Sequence, residues 1–300
     1  MPLHAETALS PAQVWWLAIR PRTLTLAVVP VLVGAVLAWH EAQVFRALPF
    51  IAALVSALAI QIGTNLLNDA SDGENGFDRP GRLGPPRITA SGWATAAEVR
   101  RAALAAFLVA TVAGLYCVAV GGLPILAVGI ASLLAGWAYS RGPLPIAASA
   151  TGEVFVLIFF GVAAVAGTAW LMSLKLSLAA VMSGILIGLP SSAVLLINNH
   201  RDREADAAAG RRTLAIVLGL EATRLFYVGL LTLAAVMGIF VALALGSPWM
   251  LLTLLALPYA LRLSHMMMDE PIGSGLNALL GRTASYQIVL AALLIFGLMM

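Results

Sequence analysis

The sequence predicts an all-α, polytopic membrane protein: a bundle of nine transmembrane helices with its N-terminus in the cytoplasm. Three observations carry that prediction. Of 300 residues, 61% are hydrophobic and only 10% are charged, whereas a soluble domain carries about a quarter of its residues charged. A water-facing surface cannot be assembled from that supply. Apolar stretches recur from Thr23 to Met300 with no polar domain between them, which reads as a single membrane-embedded domain over 1–300. The basic residues are also divided unequally between the loops, as a membrane orientation requires.

Taken in order, the stretches that approach the ~20 residues needed to cross a bilayer fall near 23–39, 48–69, 102–120, 122–139, 151–171, 176–197, 223–245, 247–264 and 284–300. Gly, Pro or charged residues separate them and mark turns or interfacial ends. No small-x-small cleavage pattern follows the first stretch, so it is expected to be retained rather than removed as a signal peptide. When nine spans alternate sides, 15 of the 17 Lys and Arg fall on one side, and only Arg46 and Lys175 on the other. The positive-inside rule then places the N-terminus and every long polar loop in the cytoplasm. The expected location is a bacterial-type cytoplasmic (inner) membrane, with the lipid bilayer as a permanent partner.

Several function classes are excluded early. Cys117 is the only cysteine and sits inside an apolar run, which rules out disulfides, zinc knuckles and a thiol pair. The net charge is only +3, and no basic tract is interleaved with aromatics, so nucleic acid is not an expected partner. His4, His40, His200 and His265 have no spacing that groups them as ligands. Trp15 and Trp16 read as interfacial anchors.

The polar chemistry is concentrated at two places. Five of the six aspartates lie in two clusters: Asn65, Asn68, Asp69, Asp72 and Asp78, then Asn198, Asn199, Arg201, Asp202 and Asp206. On a helix turning about 100° per residue, Asn65, Asn68, Asp69 and Asp72 fall at about 0°, −60°, 40° and −20°, on one face. Asn198, Asp202 and Asp206 step by i, i+4, provided the helix continues that far. Carboxylates gathered on one face near a membrane repel unless a cation lies between them. Hard oxygen donors select Mg²⁺ or Ca²⁺, and Mg²⁺ is usually held by one or two carboxylates together with substrate phosphates. Arg79, Arg82, Arg87, Arg201, Arg211 and Arg212 lie nearby, and the guanidinium fork suits phosphate oxygens.

With these motifs the chain resembles the UbiA superfamily of intramembrane aromatic prenyltransferases over nearly its whole length. Both family signatures are present, the first as Asn65-x-x-Asn68-Asp69-x-x-Asp72-x5-Asp78 and the second as Asn198-Asn199-x-Arg201-Asp202-x3-Asp206. The wider Asp72-to-Asp78 spacing, the run from Asp78 through Arg82 to Arg87, the doubled Asn198-Asn199 and the early Arg20-Pro21-Arg22 look like the branch that prenylates 1,4-dihydroxy-2-naphthoate in menaquinone synthesis. Phe155 to Gly161, in the fifth span, is similar to a segment that helps form the apolar cavity in relatives. The sequence departs from the family in two places. Arg141 follows Tyr139-Ser140 where relatives carry a lysine, and Glu153 follows Gly152 where an aspartate is usual.

The resemblance implies a Mg²⁺-dependent enzyme that binds a polyprenyl diphosphate and an aromatic acid. Metal is expected at Asp69, Asp72, Asp78, Asn198, Asp202 and Asp206. Asn65, Asn199, Arg22, Arg82, Arg87, Arg141, Glu153, Arg201 and Arg212 are expected to hold substrate, and Asn68, Asp72, Asp202 and Tyr139 to act in catalysis. Two alternatives stand beside this reading: an acceptor such as 4-hydroxybenzoate, haem or chlorophyllide, and, in a different class, a membrane transporter. A transporter commonly sets its charges near the bilayer midplane, whereas these acids sit at helix ends beside arginine-rich loops.

Overall fold

A computed structural model describes residues 9–76 and 83–300. Among them the secondary structure is entirely helical, in the order α1 (Pro11–Ile19), α2 (Pro21–Ala42), α3 (Ala47–Glu74), α4 (Ala96–Gly121), α5 (Leu123–Ala138), α6 (Gly152–Ser173), α7 (Leu178–Arg201), α8 (Arg203–Ala208), α9 (Leu214–Leu218), α10 (Leu220–Leu245), α11 (Pro248–Asp269) and α12 (Leu276–Met299). Eight of these helices are long and apolar enough to cross a membrane. The remaining expected span, 122–139, is the 16-residue α5. At 1.5 Å per residue it reaches ~24 Å, short of a ~30 Å hydrocarbon core.

Local chemistry sets the helix ends. Ser10 and Thr95 close capping boxes with Gln13 and Glu98 at the starts of α1 and α4, satisfying N–H groups that a first turn leaves orphaned. Pro21 opens α2, where a missing N–H costs nothing. A single residue, Gly122, joins α4 to α5 at φ 69°, a left-handed backbone that glycine adopts without a Cβ clash.

The large apolar core is built from α2, α6, α7, α10, α11 and α12, and α7 runs through its middle. In α7, 78% of the most apolar window is buried, against 17% in α4. The outer face of α4 exposes Leu104, Leu108 and Val112, an i, i+4 stripe suited to lipid. α6 carries a π-helical segment over Ile158–Ala163, an irregularity frequent at functional sites. There Gly161 meets Gly184 and Gly188 of α7 so closely that an added methyl would collide with the Gly184 carbonyl. Small residues at that crossing let the two backbones approach where the bilayer supplies no hydrophobic driving force. A smaller cluster packs Val14 and Ala18 of α1 against Leu66, Leu67 and Ala70 of α3, seating α1 beside the first acidic motif.

Candidate active site

The two acidic motifs lie on separate helices and meet at one end of one cavity. Asn65, Asn68 and Asp72 line it from the last turns of α3. Asn198 and Asn199 line it from the end of α7, followed by Asp202 and Asp206. α7 stops at Arg201, yet the i, i+4 progression survives the break: the Asp202 N–H donates to the Asn198 carbonyl at 3.1 Å, and the Asp206 N–H to the Asp202 carbonyl at 2.9 Å. Asn198, Asp202 and Asp206 therefore share one direction although the helix is interrupted.

The contact that joins the motifs is Arg211. Its guanidinium donates to Asp72 Oδ1 at 2.5 Å and to Asp206 Oδ1 at 3.1 Å. The carboxylates of the two motifs thus lie within the span of a single guanidinium group. On its other side Asp72 accepts from Arg87 at 3.2 Å, and Arg87 also donates to Asn68 Oδ1 at 2.6 Å. Arg20 reaches the same Asn68 oxygen at 3.4 Å, while the Asn68 amide donates to Ser140 Oγ at 3.2 Å. Burial pushes the Asp206 carboxyl up to about 6, with Arg211 opposing the shift and the Asp202 and Asp72 carboxylates reinforcing it. Carboxylates this close favour their charged form only beside cations.

Asp69 is placed differently from its neighbours. Its Oδ2 accepts from the Ile88 N–H at 3.2 Å and its Oδ1 from the Thr89 N–H at 3.0 Å, and it is not part of the cavity wall. Both oxygens hold the turn that follows Arg87. Tyr139, at the end of α5, lines the cavity. Glu153 is buried just behind the wall; its Oε1 accepts from Asn199 at 2.9 Å, and its Oε2 has no hydrogen-bond partner. Arg201 is 2% exposed, and its guanidinium clasps both oxygens of Asp202 at 2.8 and 2.6 Å.

Three arginines expected to hold substrate lie away from the cavity. Arg22 and Arg212 have exposed side chains, and Arg141 pairs with Glu74 at 2.6 Å, which Arg100 also contacts. Asp78 and Arg82 lie outside the described residues. In place of Arg22, Arg20 reaches in, because the chain turns between α1 and α2 with Arg20 at φ 54°. The signal for it in the sequence is slight: an arginine before a proline that opens a span.

Beyond the polar end, the cavity is walled by apolar residues and encloses about 790 Å³. Along α3 its lining extends from Asp72 to Ala53, a rise of ~28 Å at 1.5 Å per residue, close to the depth of a bilayer core. Phe155, Phe159 and Phe160 of α6 form one wall and Ile130 and Leu133 of α5 another. α5 packs on α3 and α4 but scarcely on α6. A charged head and a long apolar tail would both be matched here.

Among the described residues, no three His, Cys, Asp or Glu side chains converge tightly enough to hold an ion by themselves. Among the oxygen donors that line the cavity, which also include Glu204, Asp72, Asp202, Asp206 and the Asn198 amide are hard oxygens suited to Mg²⁺ with phosphate oxygens completing its shell. That Asp72 and Asp206 already share a bridging cation in Arg211 fits the same requirement.

The chain is similar to known proteins over most of its length. The UbiA prenyltransferase family matches residues 27–286. A 1,4-dihydroxy-2-naphthoate octaprenyltransferase of Mycobacterium tuberculosis is 38% identical over 250 residues, covering 83% of this chain and 84% of its own. That of Escherichia coli is 33% identical over 300 residues, covering 98% and 97%. Among solved structures, a UbiA homologue from Archaeoglobus fulgidus bound to GPP and Mg²⁺ shares the fold, with a TM-score of 0.65 at 14% identity over 93% of this chain and 99% of its own.

Proposed function

The chain belongs to the UbiA prenyltransferase family, and on that premise we propose that it transfers a polyprenyl chain from its diphosphate to 1,4-dihydroxy-2-naphthoate. It is a multi-pass membrane enzyme. The observation that carries the reading is the meeting of Asp72 and Asp206 across Arg211, at the head of an apolar cavity of bilayer depth.

Asp72, Asn198, Asp202 and Asp206 would hold Mg²⁺, which when bound neutralises charge on the departing diphosphate. Arg87, Arg211 and Arg20 point guanidinium groups toward the same space and suit the diphosphate oxygens. The allylic C–O bond breaks with its electron pair leaving on the diphosphate. Tyr139 and Asn68 line that end of the cavity and would face the allylic carbon left behind, while the aromatic and aliphatic walls would keep water from capturing it. The acceptor's ring carbon that bears the carboxylate then bonds to that carbon, and the bond from the ring to the carboxylate breaks, releasing carbon dioxide and leaving its electron pair on the ring to restore aromaticity. No side chain acts as a nucleophile. The buried Glu153–Asn199 pair lies beside Tyr139's end of the cavity and is suited to orienting the acceptor. With all nine apolar stretches crossing and alternating sides, 15 of the 17 basic residues fall on the side that carries both motifs, and on that count we assign the site to the cytoplasmic face of the inner membrane.

The test is to incubate purified protein with Mg²⁺, a labelled long-chain prenyl diphosphate and a panel of aromatic acids, and to weigh the product. A decarboxylated prenyl-naphthalenediol is expected. Preferential prenylation of 4-hydroxybenzoate would overturn the acceptor assignment, and absence of any diphosphate release would overturn the enzyme reading.

A further inference from the structure

Asn277 belongs to neither acidic motif. It is the second residue of α12, far from both in sequence, and its side chain makes two contacts. Its Oδ1 accepts from Arg201 Nη1 at 2.6 Å, and its Nδ2 donates to the Leu83 carbonyl at 2.7 Å. The orientation of the amide is set by its partners: a guanidinium has only donors and a carbonyl only acceptors, so a flipped amide would oppose like groups at both ends.

Arg201 is the link from Asn277 to the second motif. Besides its two contacts to Asp202, it donates to Asn198 Oδ1 at 2.8 Å. One buried guanidinium therefore holds the side chains of both Asn198 and Asp202, and Asn277 restrains that guanidinium from outside the motif. At its other end Asn277 ties down Leu83, a cavity-lining residue four positions before Arg87, which contacts Asp72. We propose that Asn277 is a positioning residue: through Arg201 it aims the oxygens of Asn198 and Asp202, and through Leu83 it holds the segment leading to Arg87 in register with them. Its target is the cation-diphosphate head group, so this inference rests on the function proposed above. Outer partners of ligand residues typically change metal affinity 10–100-fold when removed.

The two contacts are separable by substitution. Asn277→Ala removes both, whereas Asn277→Asp keeps an acceptor for Arg201 and loses the donor to Leu83. The measurement is thermal unfolding of the full-length protein in detergent, titrated with Mg²⁺ at fixed inorganic pyrophosphate. Hydrogen exchange over residues 83–92 is followed alongside. Asn277→Ala is expected to raise the Mg²⁺ concentration for half-maximal stabilisation about 10-fold, and Asn277→Asp to stay within about threefold of the unsubstituted protein. Both variants should exchange faster over 83–92. If Asn277→Ala lowers the melting temperature without ligand but leaves the Mg²⁺ titration unchanged, Asn277 is only structural and the proposal fails. If Asn277→Asp shifts the titration as far as Asn277→Ala, the route through Arg201 is wrong. If the unsubstituted protein is not stabilised at all by Mg²⁺ with pyrophosphate, the proposed function falls and this inference with it.

Discussion

At the end of α3, Asp72 is neutralised by arginines from distant segments, Arg87 on one side and Arg211 on the other. At the end of α7, Asp202 is held by its own neighbour Arg201. The motifs look alike in sequence, yet their aspartates divide the work differently. In the first, Asp69 turns away from the cavity to hold the backbone at Ile88 and Thr89, so that of its two described aspartates only Asp72 faces the cavity. In the second, Asp202 and Asp206 both face it. Two carboxylates that share a motif need not share a role: a helix places them on one face, and the loop packed against that face decides which is consumed by backbone donors.

The sharpest way to break this comparison is to remove the carboxylate that faces the cavity in each motif. Asp72→Ala and Asp202→Ala are each expected to lower turnover by at least about 10²-fold, as loss of a preorganised electrostatic group does, while insertion into membranes is unchanged. Near-normal turnover in either variant would contradict the assignment of that motif.

Asp69→Ala should behave differently from both. It leaves two backbone N–H groups without acceptors, which costs about 2 kcal/mol or more, so a lowered melting temperature is expected with the Mg²⁺ dependence retained. Asp69→Asn, which keeps one acceptor, should recover part of the loss. If Asp69→Ala weakened Mg²⁺ binding as steeply as Asp72→Ala at unchanged melting temperature, the two aspartates would be equivalent after all.

The smallest effect concerns pH. Asp206 is held up to about 6 by burial, above the ordinary carboxylate value near 4. The folded state therefore binds this proton more tightly than the unfolded state. The stabilisation it contributes is fully present below about pH 4 and is lost as pH rises through about 6. Cation binding needs the deprotonated form and runs the other way. Titrating Mg²⁺ with pyrophosphate at pH 5 and pH 7 should give weaker binding at pH 5, and Asp206→Asn should flatten the difference. An equal flattening in Asp69→Asn would show that the wrong carboxylate had been credited.

The membrane class, the positions of the apolar stretches and the two acidic patches were all legible in the residues. Each depends on local quantities: hydropathy over ~20 positions and the ~100° step of a helix. Even the break after Arg201 did not spoil the second pattern, because backbone hydrogen bonds carried the i, i+4 direction across it. α5 was legible as well, its bounds Leu123–Ala138 falling one residue inside each end of the apolar run.

What the tertiary structure alone decided was which polar side chains meet. Arg20 reaches the cavity and Arg22 does not, because a left-handed residue lies between two helices. Arg141, which the motif comparison set beside the substrate, is engaged with Glu74. Asp69 is drawn to a turn 19 residues on, Arg211 bridges Asp72 and Asp206, and Asn277 enters from the last helix. Helical phase says which way a side chain points; it cannot say what stands opposite. That depends on distances between segments far apart along the chain, which only the packing of the helices sets.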